Sequence, residues 1–251
     1  MTQHLPKMKT IGILGGMGPG ASSVLYQKII TYSQTKYSAV QDTDYPKIIL
    51  YSLPLYGFDE TGIIDKKLVL RQLKEGLKIL EKAGADFIVI ACNTVHSLIK
   101  EMRGSVSIPI VSIIELALQE VQKKNYTAVG LLSSETTRNL SIYKKLFRLY
   151  NFELIQVNNH QQKILNNIIE SVMAGKHGKR EAKELLRIAQ SLVSQGAEAV
   201  ILGCTELPLA INQTNANIPM IDTLNLLAEA SVDIAKTTIS FETQAINHKQ
   251  I

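Results

Sequence analysis

The chain contains two cysteines, and each closes the same nine-residue pattern: GADFIVIAC over residues 84–92 and GAEAVILGC over 196–204. The two stretches are offset by 112 positions at both ends, so Cys92 and Cys204 hold equivalent places in two copies of one structural unit. Facing each other across a cleft, two such thiols suit inversion at a carbon. One, as thiolate, removes a proton from one face and the other returns a proton to the opposite face, with the roles exchanged in the reverse direction. This exchange needs no cofactor. A lone cysteine ending a core strand would read as packing. The polar residues that follow at once, CNT and CTE, turn the reading toward chemistry.

The flanking residues support that reading. FIVIACNTVHSLIKEM runs from a buried strand into a helix and puts Cys92 at the helix start. There the helix dipole favours an anion and draws a thiol from about 8.5 toward neutrality, each unit requiring about 1.4 kcal/mol of thiolate stabilisation. VILGCTELPL repeats the arrangement for Cys204, with Thr205 and Glu206 opening the next turn. Asn93, Thr94 and Thr205 add short polar side chains that can hold a carboxylate. A zinc site from Cys92, His96, Cys204 and Glu206 is the competing reading. The further cysteines of structural zinc are missing, and His96 fits a hydrogen-bonding role at a helix start, so no metal is expected.

These residues need elements to position them. The repeat extends upstream, where TIGILGG (10–16) and AVGLLSS (128–134) each read as a buried strand entering a small-residue loop. Both copies then carry a helix, LVLRQLKEGLKILEKAGAD and AKELLRIAQSLVSQGAE, with Leu70, Leu73, Leu77 and Leu80 at helical spacing and Gly84 and Gly196 at the C-terminal cap. A further strand follows each cysteine, IPIVSI (108–113) and IPMID (218–222), and then another helix. The expectation is an α/β fold of two pseudo-symmetric α/β domains with mainly parallel sheets and the active site in the cleft between them. Residues 1–111 form the first domain, with the C-terminal helix region 222–251 returning to it, and residues 112–221 form the second. The leader before Met8 and the tail TQAINHKQI read as frayed. The glycine loop ILGGMGPGAS matches G-x-G-x-x-A through Gly16, Gly18 and Ala21, but Asp59 lies too far on for the acid of a dinucleotide site. No GK[ST] follows either, so the glycines read as letting the backbone of Met17 and Gly18 come close to a small ligand.

Composition excludes other classes. With 251 residues, 45% hydrophobic and 20% charged, the chain has the make-up of a globular protein with a sizeable core. The net charge of +5 comes from short, scattered basic stretches such as KHGKR (176–180), which form no nucleic-acid footprint. No apolar run reaches the ~20 residues of a membrane span, and two cysteines without a signal peptide point to the reducing cytoplasm.

KTIGILGGMGP, GADFIVIACNTVH, the AVGLL strand with Thr137 after it, and GAEAVILGCTE together resemble the aspartate/glutamate racemase family, the pyridoxal-independent amino-acid racemases, from about Lys9 to residue 235. The resemblance implies that Cys92 and Cys204 are the catalytic acid/base pair, the second acting on the L-isomer and the first on the D-isomer. It also implies that Met17, Asn93, Thr94, Thr137, Thr205 and Glu206 bind the substrate, and that Lys163 receives a side-chain carboxylate. The substrate would be a small amino acid, aspartate or glutamate first, with no cofactor, in a homodimer. Strict aspartate racemases carry an arginine shortly after the second strand, whereas YSLPLYGFDETG here has no basic residue, which opens the site to a broader or less acidic substrate. The alternatives are a broad-specificity racemase, a related cysteine-dependent isomerase, or a non-enzymatic sensor of a small anion.

Overall fold

The structure, a computed structural model, describes residues 8–59, 62–211 and 216–237; the leader and tail lie outside these residues. Its first half contains β1 (Ile11–Gly15), α1 (Pro19–Tyr37), β2 (Ile48–Ser52), a hairpin of β3 (Phe58–Asp59) and β4 (Gly62–Ile63), α2 (Lys66–Lys82), β5 (Phe87–Ile90), α3 (Ile99–Arg103) and β6 (Ile110–Val111). After α4 (Ile113–Lys123) come β7 (Ala128–Leu132), α5 (Glu135–Asn139), α6 (Ile142–Leu149), β8 (Glu153–Gln156), α7 (Asn159–Met173), α8 (Lys179–Val193), β9 (Ala199–Leu202), α9 (Leu207–Ala210), β10 (Met220–Asp222) and α10 (Thr223–Lys236).

Two four-stranded sheets result, ordered β2-β1-β5-β6 and β8-β7-β9-β10. Every pairing within them is parallel. The repeat is kept in register: Ile11 pairs with Phe87, and Val129 pairs with Ala199. The cysteine loops therefore leave the same edge of equivalent strands, each next to the strand that opens its half.

Alternation along the strands explains how the halves meet. Ile11, Ile13, Phe87 and Val89 face one way from the first sheet, and Val129, Leu131, Ala199 and Ile201 face the same shared interior from the second. Helices α1, α4, α6 and α10 supply the apolar layer between, so a single continuous core joins both sheets. The intervening residues turn outward, Ile88 and Ile90 under α2 and α3, and Val200 and Leu202 under α7 and α8. This period of two is the strand geometry itself. The final helix α10 follows β10 of the second sheet yet packs on α1 of the first half, where Lys28 pairs with Asp222 at 3.0 Å.

The long amphipathic helices form where the periodicity places them. Leu73, Leu77 and Leu80 of α2 are fully buried, and Gly84 and Gly196 take positive φ just beyond α2 and α8. The helix read through Cys92 differs from expectation. Asn93 begins a 3₁₀ stretch over Thr94–Leu98, followed by only five α-helical residues, and α9 after Cys204 has four. Pro208 fixes the first turn of α9, and the chain then leaves helical geometry at Ile211. Neither cysteine therefore sits at the end of a long dipole, and any activation of the thiols comes from their local surroundings.

Candidate active site

Both cysteines line one small cavity, about 30 Å³ in volume, at the carboxyl ends of the strands. Cys92 is buried and Cys204 half-buried. The first half supplies Met17 and Gly18 after β1, Phe58 and Asp59 from the hairpin, and Asn93 and Thr94 beside Cys92. The second half supplies Ser134 and Thr136 around the start of α5, Ile169 and Met173 from α7, and Thr205 and Glu206 beside Cys204.

Hydrogen bonds lock the two walls together around the thiols. Thr205 Oγ1 donates to the Ala91 carbonyl at 3.4 Å, tying the second cysteine loop to the first. Thr94 Oγ1 lies 2.8 Å from Thr137 Oγ1 and 3.4 Å from Ser134 Oγ. Tyr143 of α6 donates to Asn93 Oδ1 at 2.6 Å. Burial pushes the Tyr143 phenol far up, so it stays a donor at physiological pH. Asn93 Nδ2 is buried and has no hydrogen-bond partner among the described residues, leaving a donor beside Cys92.

His96 fixes the backbone at Cys92. Its Nδ1 is 2.7 Å from the Cys92 carbonyl oxygen and its Nε2 is 3.4 Å from the Ile113 amide. One ring nitrogen donates and the other accepts, which defines a neutral tautomer. Burial pushes the imidazole down to about 4, against the opposing pull of its bond to Cys92. Both nitrogens are thus committed to the backbone, in the hydrogen-bonding role that the spacing suggested.

The structure sorts the remaining sequence candidates. Met17, Asn93, Thr94, Thr205 and Glu206 line the cavity with the cysteines. Thr137 stands behind it, 1% exposed and bonded to Thr94, while Thr136 faces the cavity; adjacent helical residues diverge by roughly 100°. Lys163 is exposed on α7 and lies outside the lining. It is six residues before Ile169, about 120° around the helix from it, whereas Ile169 and Met173, four apart, share the cavity face. The glycine loop makes its closest approaches to the chain itself. A side chain on Gly16 would overlap the Leu53 backbone, and a Cβ on Gly18 would lie 2.6 Å from Glu206 Oε1.

Sequence reasoning missed Ser134, Thr136, Phe58, Asp59, Ile169, Met173 and the support from Tyr143. Ser134 was within reach, because it is the counterpart of Gly16 under the offset that maps Ile11 onto Val129. The hairpin residues carried no signal, since β3 and β4 are two residues each.

Residues 14–231 match the model of the Asp/Glu/Hydantoin racemase family. The chain belongs to that racemase family. It is 32% identical over 222 residues to the broad specificity amino-acid racemase RacX of Bacillus subtilis (strain 168), covering 88% of this chain and 96% of that protein. The fold matches the crystal structure of an aspartate racemase homologue from Pyrococcus horikoshii OT3 with a TM-score of 0.78 and 31% identity, over 92% of this chain and 100% of that one. It matches Picrophilus torridus aspartate racemase with a TM-score of 0.79 and 28% identity, over 93% and 97%. The two-domain α/β architecture of this racemase family is therefore the fold of this chain.

Proposed function

We propose that the chain is an isomerase, a pyridoxal-independent amino-acid racemase, in which Cys92 and Cys204 exchange the α-proton of the substrate. The observation that carries the reading is that the two thiols, delivered by equivalent strands of two different sheets, line the same cavity. In one direction the Cys204 thiolate takes the α-proton of the L-isomer. The planar carbanion then receives a proton from the Cys92 thiol on the opposite face, leaving Cys92 as thiolate and Cys204 as thiol. The D-isomer reacts by the reverse sequence. Asn93, Thr94, Ser134 and Thr205 offer the neutral polar groups that orient the α-carboxylate and ammonium, and the free Nδ2 of Asn93 supports the carboxylate role.

The test is proton NMR of the α-position in deuterated water across an amino-acid panel, with chiral analysis of the product and no added pyridoxal phosphate. Cys92→Ser and Cys204→Ser should each lower racemisation by roughly 100-fold or more, the scale of one acid/base group, without loss of folding. Full turnover in both directions by Cys204→Ser would refute the assignment. Among the described residues no helix is long and apolar enough to cross a membrane. We further propose a cytoplasmic location, supported by two cysteines that form no disulfide, and a homodimer, supported by the family resemblance and checked by light scattering on the purified chain.

A further inference from the structure

The cavity between the thiols, about 30 Å³, has room for about two waters and not for an amino acid. Entry of a substrate therefore requires a side chain at its edge to move. Most of the lining is buried, the polar groups Asn93, Thr94, Ser134 and Thr205 included. Met173 is the most exposed large apolar side chain of the lining, at 45%. It is the last residue of α7 and stands one turn beyond Ile169, which is buried on the same helix face and lines the same cavity.

Met173 also reaches across from one half to the other. A Cβ on Gly18, in the glycine loop of the first half, would lie 3.9 Å from the Met173 methyl. The thioether side chain thus spans the cavity from α7 to the loop that follows β1. An unbranched, polarizable chain with three rotatable bonds and free space outside can swing aside and close again on what has entered. A substrate whose Cα sits between the thiols has its α-carboxylate and ammonium among the buried polar groups, so its side chain extends outward beneath Met173. Met17, Phe58 and Ile169 supply the other large apolar walls. None of the described lining residues is Lys, Arg or His, and Lys163, expected to receive a side-chain carboxylate, lies outside the lining. A carboxylate drawn under Met173 would lose hydration and meet no cation, whereas methylenes there leave water for apolar contact.

We propose, on the basis of the racemase reading above, that Met173 is a specificity-determining residue that selects unbranched apolar side chains over those of aspartate and glutamate. The experiment measures kcat/KM for α-proton exchange by the full chain on L-alanine, L-2-aminobutyrate, L-norvaline, L-norleucine, L-aspartate, L-glutamate and L-lysine. The apolar series should rise by roughly two- to four-fold per methylene, and norleucine should exceed the acidic substrates and lysine. Met173→Ala should flatten the series, lowering norleucine by roughly five-fold, mainly through KM, and alanine least. Met173→Leu should restore most of the slope, and Met173→Lys should shift preference toward glutamate. Equal losses along the series in Met173→Ala would reduce Met173 to a structural role and overturn the proposal. Aspartate, glutamate or lysine preferred over norleucine, with Cys204→Ser inactive, would overturn it while the racemase reading stands. Exchange with none of the seven would overturn both.

Discussion

The protonation of His96 gives a quantitative test of how the site is held. The ring is 2% exposed, donates to the Cys92 carbonyl and accepts from the Ile113 amide. Burial holds it near 4, against 6.5 for an unperturbed histidine. Because the folded value is depressed, the unfolded chain binds the proton first as pH falls. The neutral ring's stability contribution is therefore complete above about 6.5, declines through the window from 6.5 to 4, and is gone below it. A displacement from 6.5 to about 4 corresponds to about 3 kcal/mol, of which about 2 is already lost at pH 5. Urea unfolding at a series of pH values from 7.5 to 4, for wild type and His96→Asn, isolates this ring from the carboxylates that titrate in both. The wild type should lose about 3 kcal/mol more than the variant across the window. Parallel profiles would refute the reasoning. If the variant does not fold, the imidazole proton resonances of the wild type decide the matter, and a midpoint near 6.5 would sink it.

Other consequences concern the same framework. Tyr143→Phe removes the buried donor to Asn93 Oδ1 and should cost about 1–3 kcal/mol in urea unfolding, together with a fall in kcat as Asn93 loses its anchor beside Cys92. Gly16 and Gly84 share the same φ of 94°, but Gly16 faces the Leu53 backbone while Gly84 has nothing within 4 Å. Gly16→Ala should therefore destabilise the fold by roughly 2 kcal/mol more than Gly84→Ala, and equal midpoints for the two would contradict the packing assigned to the loop. Thr94→Val breaks the hydroxyl contacts to Ser134 and Thr137 that cross the cleft. It should raise KM and lower thermal stability by a few degrees, which differential scanning calorimetry would resolve.

The sequence by itself carried the repeat, because parallel strands buried on both faces must be continuous apolar runs, and two such runs ending in Cys92 and Cys204 are visible at a constant offset. It also carried the long helices and the glycines with positive φ after them, since these depend on local periodicity and backbone sterics. Asn93, Thr94 and Thr205 reach the cavity beside the thiols because they follow the cysteines directly in the chain. Tertiary structure decided the rest. The shortness of the helices after the cysteines, the exposure of Lys163 and the choice of Thr136 over Thr137 at the cavity all depend on what each segment packs against. The arrival of Asp59 at the cavity depends on a hairpin of two-residue strands, too short to leave a periodic signal. Which thiols exist and what they can do are properties of residue type and spacing. Which residues surround them is set by contacts between segments far apart in the chain.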